Sequence, residues 1–212
     1  KIVKTKDNEY TTKTIIIATG ADNRCLGLAN EDYFVGKGLS YCATCDGAFY
    51  KNKDVAVVGG GNTAIEDAEY LSDIVNKVYL IHRRDEFRAD EISVNKLKEK
   101  ENVEFILNSK VVKINGDNFI ESIDVEDKNN NIKNIKVNGL FVAVGKIPEN
   151  ENFKSIINID ESGYIISDEL CHTNVEGIYV AGDNRVKNLR QLVTATSDGA
   201  IAATEAIKFL NK

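Results

Sequence analysis

A continuously apolar run, Asp54-Val-Ala-Val-Val-Gly59, passes at once into Gly59-Gly-Gly61-Asn-Thr-Ala64, and from Asn62 to Ile74 apolar residues recur at helical spacing. This juxtaposition leaves few folds open. A short apolar run without alternation reads as a strand buried on both faces, the kind found in parallel sheets covered by helices. In such a turn Gly59 permits the sharp reversal and Gly61 lets an anionic group approach the backbone, while the small Ala64 lets the helix close on the strand. The helix N-terminus then offers N–H groups to the anion. With Lys77-Val-Tyr-Leu-Ile-His82 as the next strand, the segment reads as a βαβ unit. A ligand-free tight turn is the plain alternative, and the flanking strand and helix weigh against it. Gly36-Lys-Gly38 opens a similar glycine pattern, but no apolar strand precedes it and no periodic helix follows, so it carries no functional weight.

Gly59, Gly61, Asn62, Thr63 and Ala64 are therefore candidate dinucleotide contacts. An NAD-selective site places an acidic residue about 20 positions beyond the glycines, on the ribose 2′-hydroxyl. Here that place is basic: His82, Arg83 and Arg84 stand at the strand end and Arg88 follows. Guanidinium groups suit a 2′-phosphate, which points to NADPH. A solvated charge cluster is the rival reading of an isolated Arg-Arg pair. Elsewhere charges of both signs are interspersed, with a net charge of −6, which argues against a nucleic-acid partner. No apolar stretch approaches the roughly 20 residues of a membrane helix. A length of 212 residues fits one or two domains.

The flanks look different. Lys1–Thr5 and a return strand from Tyr10 to Ala18 read as a hairpin, and the apolar Thr14–Ala18 stretch ends in a glycine turn at Gly20. Residues 22–53 read as irregular. After a helix over 89–100, segments 103–107, 109–114, 119–126, 132–137 and 139–144 read as successive strands of a β-meander. Pro148 marks a boundary, followed by a weak strand at 163–166, a clear one at 177–181 and a helix from about Ser197 to Leu210. The expected organisation is a nucleotide-binding domain over 24–146 inserted between residues 1–23 and 147–212 of a second domain. No methionine occurs anywhere, and the chain is expected to begin inside a longer protein.

Cys42-Ala-Thr-Cys45 is the third signal. Cysteines two residues apart can close a small disulfide and exchange it with a partner's. A structural zinc site is the rival, but it needs four ligands, and Cys25, Cys171, His82 and His172 are not at ligand spacing from one another. No metal is expected. Asp46, beside the pair, could exchange a proton with a thiolate, or could simply start the turn at Gly47. Cys25 and Cys171 read as buried packing residues. His172 is assigned no role.

In order and spacing, ATGA at 18–21, CATCDG at 42–47, GGGNTA at 59–64, HRRDEFRA at 82–89, AGD at 181–183 and RQ at 190–191 resemble the low-molecular-weight bacterial thioredoxin reductases, class II pyridine nucleotide-disulfide oxidoreductases. The resemblance implies an α/β chain in which a three-layer Rossmann-like NAD(P)-binding domain, βαβ plus β-meander, is inserted in a partial FAD-binding domain of the same type. Electrons would pass from NADPH to FAD, then to a Cys42–Cys45 disulfide, then to thioredoxin. Cys45 would face the flavin and Cys42 would attack thioredoxin, with Asp46 handling the proton. Ala18, Thr19, Gly20, Gly182, Asp183, Arg190, Gln191 and Leu192 match FAD contacts of the family. The family's FAD domain opens on a glycine fingerprint of its own that these residues do not include, so FAD is expected of the intact protein. A homodimer is implied, alternating two domain orientations about hinges near 22–24 and 146–148, while the four cysteines, which do not form the framework of a small secreted domain, point to a cytoplasmic setting. Competing readings are a non-catalytic NADP-binding module and a related flavin-dependent disulfide reductase with another donor or acceptor.

Overall fold

A computed structural model describes residues 1–212. From the N-terminus it runs through β1 (Ile2–Lys4), β2 (Glu9–Thr11), β3 (Ile15–Ile17), β4 (Ala21–Asn23), α1 (Glu31–Phe34), β5 (Leu39–Ser40) and α2 (Ala43–Asp46), with a 3₁₀ turn at Gly47–Tyr50. Then come β6 (Asp54–Gly59), α3 (Asn62–Ser72), β7 (Lys77–Ile81), α4 (Glu91–Lys98), β8 (Val103–Ile106), β9 (Ser109–Asn115), β10 (Ser122–Asp127), β11 (Ile132–Lys136) and β12 (Gly139–Ala143). The chain ends with β13 (Lys146–Pro148), β14 (Ile178–Val180) and α5 (Leu192–Leu210). Two compact units result, one of residues 1–22 and 146–212, the other of 23–145.

The second unit is built on a five-stranded sheet in the order β5-β12-β6-β7-β8, with every pairing parallel. Val55, Ala56 and Val57 of β6 are fully buried, as a central strand with both faces covered requires. On one face Ala64, Ile65, Ala68 and Leu71 of α3 pack against Val55, Val57, Val78 and Leu80. On the other, Ala56, Val58, Ile81, Leu140 and Val142 meet Ile114, Ile123 and Ile135 of an antiparallel sheet β11-β10-β9. The expected five-strand meander is thus corrected to its middle three strands. Val103–Ile106 and Gly139–Ala143 belong to the parallel sheet, where their pairing partners are remote in sequence. The stretch expected to be irregular, 22–53, carries β5 and two single-turn helices.

In the first unit the expected hairpin is broken. β2 pairs with β1, but Ile15–Ile17 leaves it to lie parallel to β14, because an all-isoleucine strand gains more from the buried cluster of Ile17, Ile157, Ile165, Ile178 and Val180 than from an exposed ribbon. The weak strand at 163–166 is reduced to isolated bridges at Ile165. The terminal helix begins five residues earlier than Ser197, at Leu192, where Gln191 and Thr194 form a reciprocal capping box. No helix is long and apolar enough to cross a membrane.

Candidate functional site

The glycine turn is held by sterics that explain its composition. A Cβ on Gly59 would run into the Ala143 carbonyl oxygen and come within 2.6 Å of the Ala64 methyl, so both Gly59 and Ala64 must be small for α3 to close on β6. A Cβ on Gly60 would enter the His82 ring, whereas nothing lies within 4 Å of one on Gly61. Backbone at Gly61 is therefore open to close approach. Gly61 is also the N-cap of α3, which no side chain caps, so first-turn N–H groups at Asn62 and Thr63 can meet an anion.

His82 is 9% exposed and supports this turn from below. Its ring stacks on Phe87 at 5.1 Å, and Nε2 lies 3.1 Å from the Glu86 carbonyl oxygen. Burial pushes its pKa down; the Glu86 carbonyl opposes this, and Arg83, Arg84 and Arg88 push it lower still. A neutral ring beneath the turn follows from that balance. Arg83, Arg84 and Arg88 are exposed. Their loop is tied to the glycine turn by two hydrogen bonds: Arg88 N–H donates to the Gly60 carbonyl at 2.7 Å, and Asp90 N–H donates to Asn62 Oδ1 at 2.9 Å. Asn62 thus spends its side-chain oxygen on the loop. Glycines that fit a pyrophosphate and arginines that fit a 2′-phosphate are held as one body, so the residues present fit NADPH.

Cys42 and Cys45 are joined in a disulfide with Cα atoms 5.3 Å apart. Cys42 is the N-cap of α2, and its sulfur accepts the Cys45 N–H at 3.2 Å and lies 3.4 Å from Thr44 Oγ1. Cys45 is the more exposed of the two residues. Asp46 accepts a hydrogen bond from Ser40 Oγ at 2.6 Å. Two residues that carry no motif organise the approach to the pair. Glu31, 2% exposed, accepts N–H groups of Leu26, Gly27 and Leu28 and the Tyr41 hydroxyl. Ser40, 5% exposed, accepts the Cys42 N–H at 3.1 Å. Burial, together with hydrogen bonding to Cys25 and Glu31, pushes the Tyr41 phenol up. Cys25 is exposed, contrary to expectation, with the Tyr41 hydroxyl 3.6 Å from its sulfur; Cys171 is buried.

In the first unit, β14 ends in the turn Ala181-Gly182-Asp183, where Gly182 has φ +93°. Asp198 on α5 accepts Gly182 N–H at 3.0 Å, Arg185 at 3.1 Å and Lys187 at 2.7 Å. Burial pushes the Asp198 carboxyl up, but Lys187, the Gly182 N–H and Arg185 together hold it below its ordinary value. Arg190 lies over the Tyr164 ring at 4.0 Å and donates to the Asp183 carbonyl. Thr19 joins Asn184 and Asn150 in a side-chain network. Ala18 and Thr19 are exposed, Gly20 has open space at its Cβ position, and Leu192 is 82% exposed. Asp183 Oδ1 and Asn184 Oδ1 are buried without a partner, acceptors suited to a polyhydroxylated group such as the ribityl chain of FAD. The residues present fit that part of the cofactor. His172, given no role from sequence, bridges Asp168 at 2.9 Å and Glu205 at 3.4 Å.

Residues 1–199 match the family described as pyridine nucleotide-disulphide oxidoreductase. Thioredoxin reductase of Peptoclostridium acidaminophilum is 44% identical over 99% of this chain and 69% of its own length. That of Listeria innocua is 43% identical over the whole chain and 67% of its own. The crystal structure of thioredoxin reductase from Streptococcus pyogenes, 40% identical, superimposes with a TM-score of 0.94 over 99% of this chain and 69% of that one. The exchangeable disulfide beside a glycine-turn Rossmann sheet is thus set in a chain that belongs to the thioredoxin reductases of the pyridine nucleotide-disulphide oxidoreductase family.

Proposed function

We propose that residues 23–145 bind NADPH and carry the exchangeable disulfide, that residues 1–22 and 146–212 supply part of an FAD site, and that the electrons reach thioredoxin through Cys42–Cys45. The observation that carries the cofactor assignment is the hydrogen-bonded tie between the glycine turn and the exposed arginine loop, Arg88 N–H to the Gly60 carbonyl at 2.7 Å. On this reading Gly61 and the first turn of α3 hold the pyrophosphate, Arg83, Arg84 and Arg88 take the 2′-phosphate, and His82 props the turn. Thr19, Asp183, Arg190 and the start of α5 hold FAD. When bound, FAD supplies the conversion between hydride transfer and dithiol formation.

In the reduced form the Cys45 N–H and the Thr44 hydroxyl favour a thiolate at Cys42, which makes Cys42 the attacking sulfur. Its thiolate displaces one sulfur of the thioredoxin disulfide, forming a mixed disulfide. Cys45 thiolate then attacks Cys42 Sγ, restores the Cys42–Cys45 bond and releases the second sulfur. Two protons leave the enzyme thiols and two are taken up by thioredoxin, with Asp46 as the acid–base group that passes them. A homodimer and a cytoplasmic setting complete the reading, and unpaired thiols at Cys25 and Cys171 agree with a reducing compartment.

The test is NADPH added to FAD-loaded protein, with free thiols counted before thioredoxin is supplied. Appearance of the Cys42 and Cys45 thiols, followed by catalytic thioredoxin reduction that C42S abolishes, is expected. An NADPH-treated protein whose disulfide stays closed would refute the proposal.

A further inference from the structure

Ser40 belongs to none of the motifs, yet it lies at the centre of the redox turn. It is the last residue of β5, held in register opposite Phe141 of β12, and only 5% of it is exposed. Its Oγ lies 2.6 Å from Asp46 Oδ2, 3.1 Å from Cys42 N and 3.3 Å from Cys42 O. A serine hydroxyl has one proton and two lone pairs. With a carboxylate at 2.6 Å the proton goes to Asp46, in a charge-assisted bond about twice as strong as a neutral one. A lone pair remains for the Cys42 N–H. Backbone at Cys42, the Ser40 hydroxyl and the Asp46 carboxylate therefore form one closed ring that spans the whole CATC turn.

We propose that Ser40 is the positioning residue of the proton relay: its hydroxyl fixes the Asp46 carboxylate beside the dithiol, and thiol–disulfide exchange depends on it although it touches no substrate. This rests on the reading of Asp46 as the acid–base group. Asp46 accepts the Cys42 proton as the attacking thiolate forms, and returns it to the thioredoxin sulfur as the S–S bond breaks. One S–S bond forms for each one broken, so electrons balance. A carboxylate free to rotate would spend part of its time turned to water. The strand that carries Ser40 prevents this, since β5 is fixed to β12 by parallel pairing.

Other titratable groups on the elements packed against α2 are Tyr50 on the following 3₁₀ turn and Glu66, Asp67, Glu69 and Tyr70 on α3, with Glu69 paired to Lys96. Burial first, and then the Asp46 charge, push the Tyr50 phenol up. Burial and Glu66 push the Asp67 carboxyl up to about 6, so Asp67 is the rival source of any pH effect in the acid range.

The experiment reduces the protein with dithiothreitol, removes the reductant, and follows oxidation of the dithiol by thioredoxin disulfide in stopped flow, a step that needs neither NADPH nor flavin. Ser40→Ala is expected to slow exchange about tenfold, a fraction of what a positioned acid–base group contributes. It should shift the acid limb of the pH profile to higher pH and leave NADPH affinity within about twofold of native. Asp46→Asn should slow exchange more, and the double variant should be no slower than Asp46→Asn alone. Ser40→Thr, which keeps the hydroxyl, should stay within about threefold of native and serves if the alanine variant does not fold. Native exchange rates in Asp46→Asn would overturn the Asp46 reading itself. A slow Asp46→Asn with a native-like Ser40→Ala, a Ser40 loss that multiplies in the double variant, or a pH shift reproduced by Asp67→Asn would overturn the role of Ser40.

Discussion

Replacing Gly60 by alanine separates sterics from backbone strain. Gly60 is not among the residues with positive φ, so alanine can adopt its backbone conformation. The cost comes from His82, whose ring the new methyl would enter, with Nε2 only 2.5 Å from the Cβ position. That ring cannot simply swing away. It is stacked on Phe87, and its Nε2 faces the Glu86 carbonyl. Losing the stack costs about 1 kcal/mol and losing the hydrogen bond about 1 kcal/mol. Residual overpacking adds roughly 1 kcal/mol. A total of about 3 kcal/mol corresponds to a fall of roughly 6 to 12 °C in thermal midpoint for a chain of this size. Because the Gly60 carbonyl also receives Arg88 N–H, the displacement reaches the arginine loop, and NADPH affinity should fall about tenfold. The assay is calorimetry on Gly60→Ala, His82→Ala and the double variant. With the ring gone, Gly60→Ala should cost under about 1 kcal/mol, a coupling of about 2 kcal/mol. If the methyl costs as much in the His82→Ala background as in the native one, the steric account is wrong.

Replacing Arg83 and Arg84 together by alanine should weaken NADPH about 10- to 100-fold in fluorescence titration, the worth of lost charge-assisted bonds to phosphate, with NADH little changed. Asp67→Asn should stabilise the protein by about 2 kcal/mol in alkaline buffer. The sign follows from a native value raised to about 6: the penalty of a buried charge is absent below the unfolded value and complete above about 6, so the gain should vanish in acid urea melts. Asp198→Ala leaves Arg185 and Lys187 buried without their shared carboxylate and frees the Gly182 N–H. It should cost about 3 to 5 kcal/mol in chemical denaturation, whereas an exposed pair such as Lys4 and Glu9 should cost under about 1 kcal/mol.

The features legible in the sequence are those whose cause is local. Gly59 and Ala64 meet across one strand–turn–helix, although Gly59 also abuts the Ala143 carbonyl of β12, Gly61 opens the same turn, and Cys42 and Cys45 close a ring of four residues, so each announces itself at fixed spacing. Strand membership is different. Val103–Ile106 looks like any other short apolar strand, and nothing nearby encodes that its partner is Val78–Ile81. Likewise Ile15–Ile17 follows Glu9–Thr11 so closely that only its pairing with Ile178–Val180 separates them. The start of α5 was hidden by Thr194, Thr196 and Ser197, weak helix formers that read as loop, although Thr194 caps the helix with Gln191. Ser40 and Glu31 left one faint signal each, a hydroxyl two residues before Cys42 and a carboxylate beyond a glycine loop, both of which a turn could explain.

The residues that name the chemistry and those that hold it in place differ in burial, and that difference makes them separable. Arg83, Arg84 and Cys45 are exposed, as the proposed ligand-facing groups must be, while His82, Ser40, Glu31 and Asp198 are almost wholly out of solvent. Changing an exposed member should therefore alter binding or exchange at nearly constant stability. Changing a buried one should move both, unless its partner is changed with it. The pairs Gly60 with His82 and Ser40 with Asp46 are where that distinction is sharpest, because each sets a buried support directly against the turn it holds.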